Sequence, residues 1–290
     1  MATAHQVPLH VVSGPTEIHA AIDQAMQERV RRLVVIGGDG TLQAVVTYLA
    51  ESFTHAEMPA IVMLGGGRTN YTARDIGTHD RLIDTLERAL TDPANLKRTT
   101  RTTLRIEQQG LAPAHGFFIA GAVVDFIIRE CHRHRSLGTG PLRTGHLSTA
   151  LTIIRLAMLG LIGKSGFVAP EMTIKAQGLG QLQTSVRLLL ITSLHHRREF
   201  VDPYADSGNG TVRLSAVSSR AQRFWLRLLR LVKGRYSQGM APQTGYLSGR
   251  TQRVDLSGLE HISLDGQEHD FDPALPVHVQ SGIDFEFLHP

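Results

Sequence analysis

Residues 33–46 read LVVIGGDGTLQAVV, and this stretch decides how the first part of the chain folds. Its apolar, β-branched beginning is typical of a buried parallel strand. Three glycines then surround Asp39, and apolar residues recur at helical spacing after Thr41, which can cap the helix. We therefore predict a strand that turns sharply into a helix, with free backbone N–H groups that favour an anion above the turn.

The residues of this turn are candidates for a phosphate site. Glycine permits close approach of the backbone to a ligand, so Gly37, Gly38 and Gly40 can cradle phosphate oxygens. Asp39 would repel a bare phosphate, which points to bound Mg²⁺ or to a nearby hydrogen-bond donor. A turn made for packing alone, with Asp39 as a solvated residue, is the alternative interpretation.

A second turn has the same construction. Residues 61–64 predict a strand, residues 65–70 (GGGRTN) a turn and residues 72–77 a short helix. If the two strands are parallel neighbours, both turns lie at the edge of the sheet where ligands bind. Arg68 could then bind phosphate oxygens, and a solvated surface arginine is equally consistent with its position.

These segments resemble the diacylglycerol kinase catalytic-domain family, which includes bacterial lipid kinases and sphingosine kinases. Residues 37–41 match its GGDGT signature, and residues 67–74 resemble the segment that follows at the same spacing. The family's later segments are similar to three further stretches in the same order: residues 117–125, 203–210 and 264–266. The resemblance therefore extends over almost the whole chain.

The resemblance implies a kinase of two domains that uses ATP and Mg²⁺. Residues 1–97 would form an α/β nucleotide-binding (kinase catalytic) domain of the NAD-kinase/diacylglycerol-kinase-like type. This domain would lack the family's first strand, since only residues 7–12 offer a strand before the helix predicted over residues 15–31. Residues 98–290 would form a β-rich, sandwich-like domain for the lipid acceptor, with catalysis in the cleft between the domains.

After Arg98 the sequence changes from alternating strand and helix patterns to short strand patterns. The predicted strands are residues 102–108, 116–124, 173–176, 186–194, 211–216, 252–256, 261–264, 277–280 and 285–288. An apolar run over residues 147–162 predicts a helix that is too short to cross a membrane. This helix could border an acyl-chain channel or belong to the core.

The resemblance also implies roles for individual residues. The nucleotide-binding set is Gly37, Gly38, Gly40, Thr41, Gly67, Arg68, Thr69 and Asn70. The catalytic set is Asp39, Asp125 and Glu268, with Asp39 also as the metal ligand. Asp265 and Gln267 would line the acceptor cleft.

The chain departs from the family at its carboxylates. Tyr71 stands where the family has an aspartate, and Asn209 replaces an aspartate of a later turn. Gln267 replaces the glutamate that serves the family as catalytic base, and a glutamine cannot accept a proton. A bulge or a one-residue shift could aim Glu268 inward instead, Asp39 could act as the base, or catalysis could have been lost.

The leading hypothesis from the sequence is an ATP-dependent lipid kinase that transfers the γ-phosphoryl group to a hydroxyl of a diacylglycerol-like lipid. The first alternative is a catalytically degenerate protein that binds a nucleotide or a lipid. A soluble-metabolite kinase of the NAD-kinase type is a more distant alternative, because residues 67–74 follow the lipid-kinase pattern.

The composition is that of a globular chain of 290 residues, with 42% hydrophobic and 19% charged residues. One cysteine, Cys131, excludes an intrachain disulfide framework, and residues 1–10 lack the pattern of a signal peptide. We therefore expect a cytoplasmic protein. The net charge is only +4 and the arginines are scattered, so we expect no nucleic-acid partner; a homodimer is compatible with the sequence.

Residues 220–235 predict an amphipathic helix. Its apolar side would carry Phe224, Trp225, Leu228, Leu231 and Val232, and its cationic side Arg223, Arg227, Arg230 and Lys233. Such a helix can lie on the anionic inner face of the membrane, as a transient peripheral contact. Packing of the apolar side against its own domain is the plain alternative.

Overall fold

The computed structural model describes residues 7–67, 70–78, 82–136, 167–195 and 201–290. The helices in these ranges are α1 (Pro15–Gln27), α2 (Asp39–Ser52), α3 (Tyr71–Ile76), α4 (Leu82–Thr91), α5 (Val123–Ser136) and α6 (Phe224–Val232). The strands are β1 (Arg32–Gly37), β2 (Ala60–Gly65), β3 (Lys97–Gln108), β4 (Ala114–Gly116), β5 (Phe118–Ala122), β6 (Glu171–Ala176), β7 (Gly180–Thr192), β8 (Val212–Ser218), β9 (Tyr246–Thr251), β10 (Arg253–Ser257), β11 (His261–Leu264), β12 (Gln267–Asp270) and β13 (Val277–His289).

The first part of the chain is an α/β unit, as predicted. β1 and β2 are parallel and pair from Arg32 opposite Ala60 to Gly37 opposite Gly65, so both strands end at the same edge. The apolar side chains of α2 pack against this sheet; the buried set is Leu42, Val45, Val46, Leu49, Ile61 and Met63. This packing fixes where α2 begins relative to the ends of the two strands.

The last strand, β13, connects the two parts of the chain. It pairs antiparallel with β3 over most of its length, and Phe287 pairs in parallel with Ile61 of β2. The strands of the described ranges then follow the order β1-β2-β13-β10-β6-β7-β5-β11-β12, with β3, β4, β8 and β9 paired beside this path. The boundary at residues 97 and 98 stays a prediction; β3 begins at Lys97.

The second part of the chain is rich in strands, as predicted, and it has a core of its own. Side chains in β6 alternate between buried and more exposed positions, as expected for a strand with one face against a core. The buried apolar set of this part includes Ile119, Ile174, Leu189, Ile191, Leu214, Val254, Ile262 and Val279.

Several predicted elements differ in the structure. Residues 7–13 form no strand, and α1 ends at Gln27 because Arg29 has a left-handed backbone with φ of 53°. The two strands predicted over residues 277–288 are one strand, β13, with a shift of register between Ser281 and Asp284. β4, β9 and β12 have no predicted counterpart; β12 is entirely polar and offers no apolar alternation.

The helix predicted over residues 147–162 lies outside the described residues. No helix in the described part of the chain has the length and apolar character needed to cross a membrane.

Candidate functional site

The two glycine turns lie against each other at the ends of β1 and β2. The N–H group of Gly66 donates a hydrogen bond of 2.8 Å to the carbonyl oxygen of Gly37. A Cβ atom on Gly67 would lie 2.6 Å from the Cα atom of Gly38, so no side chain fits at this position. The turns are therefore packed backbone against backbone, and glycine is required for that contact.

The first turn leads directly into α2. Gly38 is the N-cap residue, and its carbonyl oxygen accepts N–H groups from Thr41 at 3.1 Å and Leu42 at 3.2 Å. The prediction that Thr41 caps the helix is wrong, because the helix already begins at Asp39 and no side chain caps it. The N–H groups of Asp39 and Gly40 precede the first helical hydrogen bond, so the positive end of α2 opens at the turn.

Asp39 joins the two turns. Its Oδ2 atom accepts the N–H group of Tyr71 at 2.9 Å, and its Oδ1 atom accepts that of Thr72 at 3.0 Å. These are the first N–H groups of α3, which have no partner within their own helix. The carboxylate thus fixes the start of α3 beside the start of α2, in addition to any role toward a ligand.

Asn70 holds the second turn in shape. Its backbone is left-handed, with φ of 46°, a conformation that asparagine tolerates better than most residues. Its Nδ2 atom donates to the carbonyl oxygens of Gly65 at 2.9 Å and Gly67 at 2.7 Å. Arg68 and Thr69, which were predicted to complete the nucleotide loop, lie outside the described residues.

Asp265 lies in a turn of the second part of the chain, and this turn approaches the two glycine turns. Asp265 and Gly266 have φ of 49° and 83° and connect β11 to β12, as in the tight turns favoured by β-hairpins. The Asp265 carboxylate accepts the N–H groups of Phe117 at 2.8 Å and Phe118 at 2.9 Å. These bonds tie the hairpin to the start of β5.

The Asp265 carboxyl is buried, and burial raises its pKa well above the ordinary value of 3.8. The N–H groups of Phe117 and Phe118 act in the opposite direction, and the negative charge of Asp39 adds to the increase. The two carboxylates are therefore near enough to repel each other, and the hairpin turn lies close to the glycine turns.

Gln267, the first residue after this turn, contacts the GGDGT loop. Its side-chain amide lies directly against Gly40, in space that a side chain at that position would need. The sequence predicted Gln267 in the acceptor cleft, and the structure places its amide at the start of α2. A larger residue at position 40 would have to displace this amide.

Glu268 points away from Gly40. Its Oε1 atom lies 2.8 Å from Nδ1 of His132 and its Oε2 atom 3.3 Å from Nη1 of Arg129, both on α5. The pairing of β11 with β12 is regular, with Ser263 opposite Glu268. The bulge or one-residue shift that was one of the alternatives is therefore absent, and successive side chains of β12 point to opposite faces.

Asp125 lies in the first turn of α5 rather than at a strand end. Its Oδ2 atom accepts a hydrogen bond of 2.9 Å from Nε of Arg129, and burial raises the pKa of Asp125 despite that partner. Arg129 thus binds both Asp125 and Glu268. The structure gathers the predicted site residues in two places: Asp39, Asn70, Asp265 and Gln267 at the turns, and Asp125 and Glu268 around Arg129.

The sequence did not indicate the backbone donors that hold the two carboxylates of the turns. Tyr71 stands where the related family has an aspartate. In the structure its N–H group donates to the Asp39 carboxylate, and its ring centre lies 5.1 Å from that of Phe118. The only available signal was that the first N–H groups of the short helix after Asn70 need an acceptor.

The donor set fits a magnesium ion that arrives with a nucleotide. Within the described ranges, no three His, Cys, Asp or Glu side chains gather closely enough to hold a metal ion by themselves. Magnesium at phosphoryl-transfer sites is usually held by one or two carboxylates together with substrate phosphates. Each Asp39 oxygen accepts one N–H group and retains the capacity for a further partner.

Comparison with known proteins supports the family resemblance. Residues 1–99 match the family model of the diacylglycerol kinase catalytic domain. Comparison with curated proteins gave no match.

Three solved structures from Bacillus anthracis share the fold. Two of the structures are of a proposed diacylglycerol kinase, with 13% and 14% identity and TM-scores of 0.64 and 0.59; each match covers 96% of this chain and 84% of that chain. The third is of a diacylglycerol kinase, with 11% identity, a TM-score of 0.57, and 97% and 84% of the chains covered. At these identities they show the fold alone. The family model is the more specific finding, because it matches the first 99 residues of this chain to the diacylglycerol kinase catalytic domain.

Proposed function

We propose that this protein is an ATP-dependent lipid kinase that transfers the γ-phosphoryl group to a hydroxyl of a diacylglycerol-like acceptor. The observation that carries the proposal is the packing of two glycine turns, backbone against backbone, at the positive end of α2. Such an arrangement favours a polyphosphate, because backbone N–H groups can approach its oxygens without interference from side chains. The family of residues 1–99 supports the same chemistry.

In this proposal the nucleotide phosphates lie at Gly37, Gly38, Gly40 and Thr41. Asp39 would hold the Mg²⁺ that accompanies ATP, and that ion would neutralise charge on the transferred phosphoryl group. Asp265 orients the hairpin turn, and this turn carries Gln267 to the edge of the phosphate site. The amide oxygen of Gln267 can accept a hydrogen bond from the acceptor hydroxyl and so orient it, but it cannot remove the proton.

The strand-rich part would supply the binding site for the acceptor. Its apolar core residues lie on several paired strands, and a sandwich-like arrangement of these strands would give the lipid tail an apolar interior. The transfer itself depends mainly on alignment and charge neutralisation, so a kinase without a carboxylate base at position 267 remains chemically feasible at a reduced rate.

One observation favours a second candidate, a degenerate protein that binds nucleotide or lipid without turnover. Gln267 occupies the face of β12 that meets Gly40, and Glu268, the neighbouring carboxylate, is engaged by Arg129 and His132 instead. No acidic side chain of β12 therefore substitutes for the missing base at the turns.

Transfer of radiolabelled γ-phosphate from ATP and Mg²⁺ to a total lipid extract tests the proposal. We expect a labelled lipid with the wild type, a loss of roughly 10²-fold or more with Asp39→Asn, and a gain of about 10²-fold with Gln267→Glu, which introduces a base beside Gly40. Glu268→Gln serves as the matched control and should stay within about twofold, because its side chain forms a partly exposed ion pair elsewhere.

The outcomes separate the two candidates. No labelled lipid from the wild type, together with measurable ATP binding and a gain of activity in Gln267→Glu, would favour the degenerate binder. Loss of transfer in Glu268→Gln alone would contradict the placement of the reacting groups at the glycine turns.

A further inference from the structure

Helix α6 presents apolar side chains on two faces. Phe224 and Leu231 are buried in a cluster with Val217, Met240 and Tyr246, which attaches the helix to the strand-rich part. The sequence placed Trp225 on this same apolar side, but its side chain faces outward with 52% of its surface exposed. Packing of the apolar side chains against the protein's own strands therefore accounts for only one face of the helix.

The outward face forms a compact apolar patch. Leu226 and Leu229 are 82% and 75% exposed, and both lie within one helical turn of Trp225. Single exposed apolar residues are ordinary, whereas three neighbours on one turn of a helix indicate a contact surface. We call Trp225, Leu226 and Leu229 the α6 patch.

Exposed cations flank the α6 patch along the chain. Arg220, Arg223, Arg230 and Lys233 are all exposed, and within the described residues no carboxylate pairs with Arg223 or Arg230. Arg227 behaves differently, since it turns inward over the ring of Tyr246 at 5.5 Å. The four exposed cations thus lie within five residues of a member of the apolar patch along the chain, and Arg220 and Arg223 line a pocket together with Trp225 and Leu226.

An open pocket of about 400 Å³ adjoins the patch at the start of α6. Its lining combines arginines with the first apolar residues of the helix: Arg187, Arg220, Arg223, Phe224, Trp225 and Leu226. Arg187 is fixed there, because its guanidinium lies 4.7 Å from the ring centre of Phe224 and donates to the carbonyl oxygen of Ser219 at 2.9 Å. Guanidinium groups at such a position match the phosphate of a lipid headgroup.

We propose that the α6 patch and its bordering cations dock the protein on an anionic phospholipid bilayer. The apolar side chains would enter the boundary between headgroups and acyl chains, Trp225 would lie at headgroup level, and the arginines would contact lipid phosphates. A second copy of the chain fits this surface poorly, because a symmetric contact would bring the same cations of both copies together. The docking needs no catalysis and is measured without ATP.

Trp225 is the only tryptophan of the chain, so its fluorescence reports on the patch directly. We expect a shift of its emission to shorter wavelength with vesicles of phosphatidylcholine and phosphatidylglycerol. No shift is expected with phosphatidylcholine alone or with soluble glycerol phosphate. Raising the salt concentration should reverse binding, because the cations are exposed to solvent.

Substitutions identify the surface. In co-sedimentation with the anionic vesicles, Leu226→Ser with Leu229→Ser should weaken binding about tenfold or more, and Arg223→Gln and Arg230→Gln about fivefold each. The matched control is Ile83→Ser with Arg88→Gln on α4, where an exposed apolar residue and an exposed arginine lie far along the chain from α6. This control should bind like the wild type.

Several results would overturn the proposal. Equal binding to both kinds of vesicle, an equal loss in the α4 control, or an emission shift with glycerol phosphate alone would each exclude the α6 patch as a bilayer-docking surface. A shift that depends on protein concentration without lipid would identify a second copy as the occupant. A failure of lipid phosphorylation with vesicle binding intact would count against the kinase and leave the docking surface standing.

Discussion

The carboxylates of the predicted site form two groups that are held by different means. Asp39 and Asp265 at the glycine turns accept hydrogen bonds from backbone N–H groups, two for each carboxylate. Asp125 and Glu268 are held by the side chains of Arg129 and His132 on α5. Backbone donors are fixed by the fold and carry no full charge, whereas Arg129 places a full positive charge beside both members of the second group.

The largest effect that tests this comparison should come from Asp265→Ala. This change leaves the buried N–H groups of Phe117 and Phe118 without acceptors, and we expect the free energy of unfolding to fall by about 3 kcal/mol. Urea unfolding followed by circular dichroism measures it. Asp270→Ala, at the exposed end of the same hairpin, is the control. An equal loss in both variants would show that the backbone hydrogen bonds of Asp265 stabilise the fold no more than the exposed Asp270 side chain does.

A smaller effect should appear in the pH dependence of stability. Burial raises the pKa of Asp265 in the folded state above its ordinary value of 3.8, so the folded chain holds that proton more tightly than the unfolded chain. The resulting stability is fully present below about pH 4 and is lost as the pH rises through the raised pKa. Asp265→Asn cannot titrate, so the difference between its free energy of unfolding and that of the wild type should shift in favour of the variant as the pH rises above about 4. Parallel pH profiles would contradict the shift.

The smallest effect should come from Glu268→Ala. The side chain is partly exposed, and its ion pairs with Arg129 and His132 should contribute about 0.5 kcal/mol to the free energy of unfolding. Thermal unfolding of this variant beside the wild type checks the value. A loss as large as that of Asp265→Ala would remove the distinction between the two groups of carboxylates.

The sequence predicted local features best. The strand, turn and helix of residues 33–46 are confirmed, because glycines and apolar spacing act within a few residues of each other. The opposite orientation of Gln267 and Glu268 follows from the alternation of side chains in any strand. The partners of Asp39 could not be predicted in the same way, because Tyr71 and Thr72 are more than thirty residues further along the chain.

The same limit applies to α6. The periodicity identified an amphipathic helix, but it could not tell which apolar positions face the protein, because that depends on the strands behind the helix. Phe224 and Leu231 pack in a cluster with residues of those strands, whereas the side chain of Trp225 is exposed.

The pairing of β13 bears on how the protein is made. Residues 277–289 lie between β2 and β10, and Phe285 and Phe287 belong to the same buried cluster as Ile61. While the ribosome is still adding the middle of the chain, β2 and β3 lack this neighbour and present open edges to other nascent chains. The sheet that begins with β1 and β2 is therefore complete only after residues 277–289 have been synthesised.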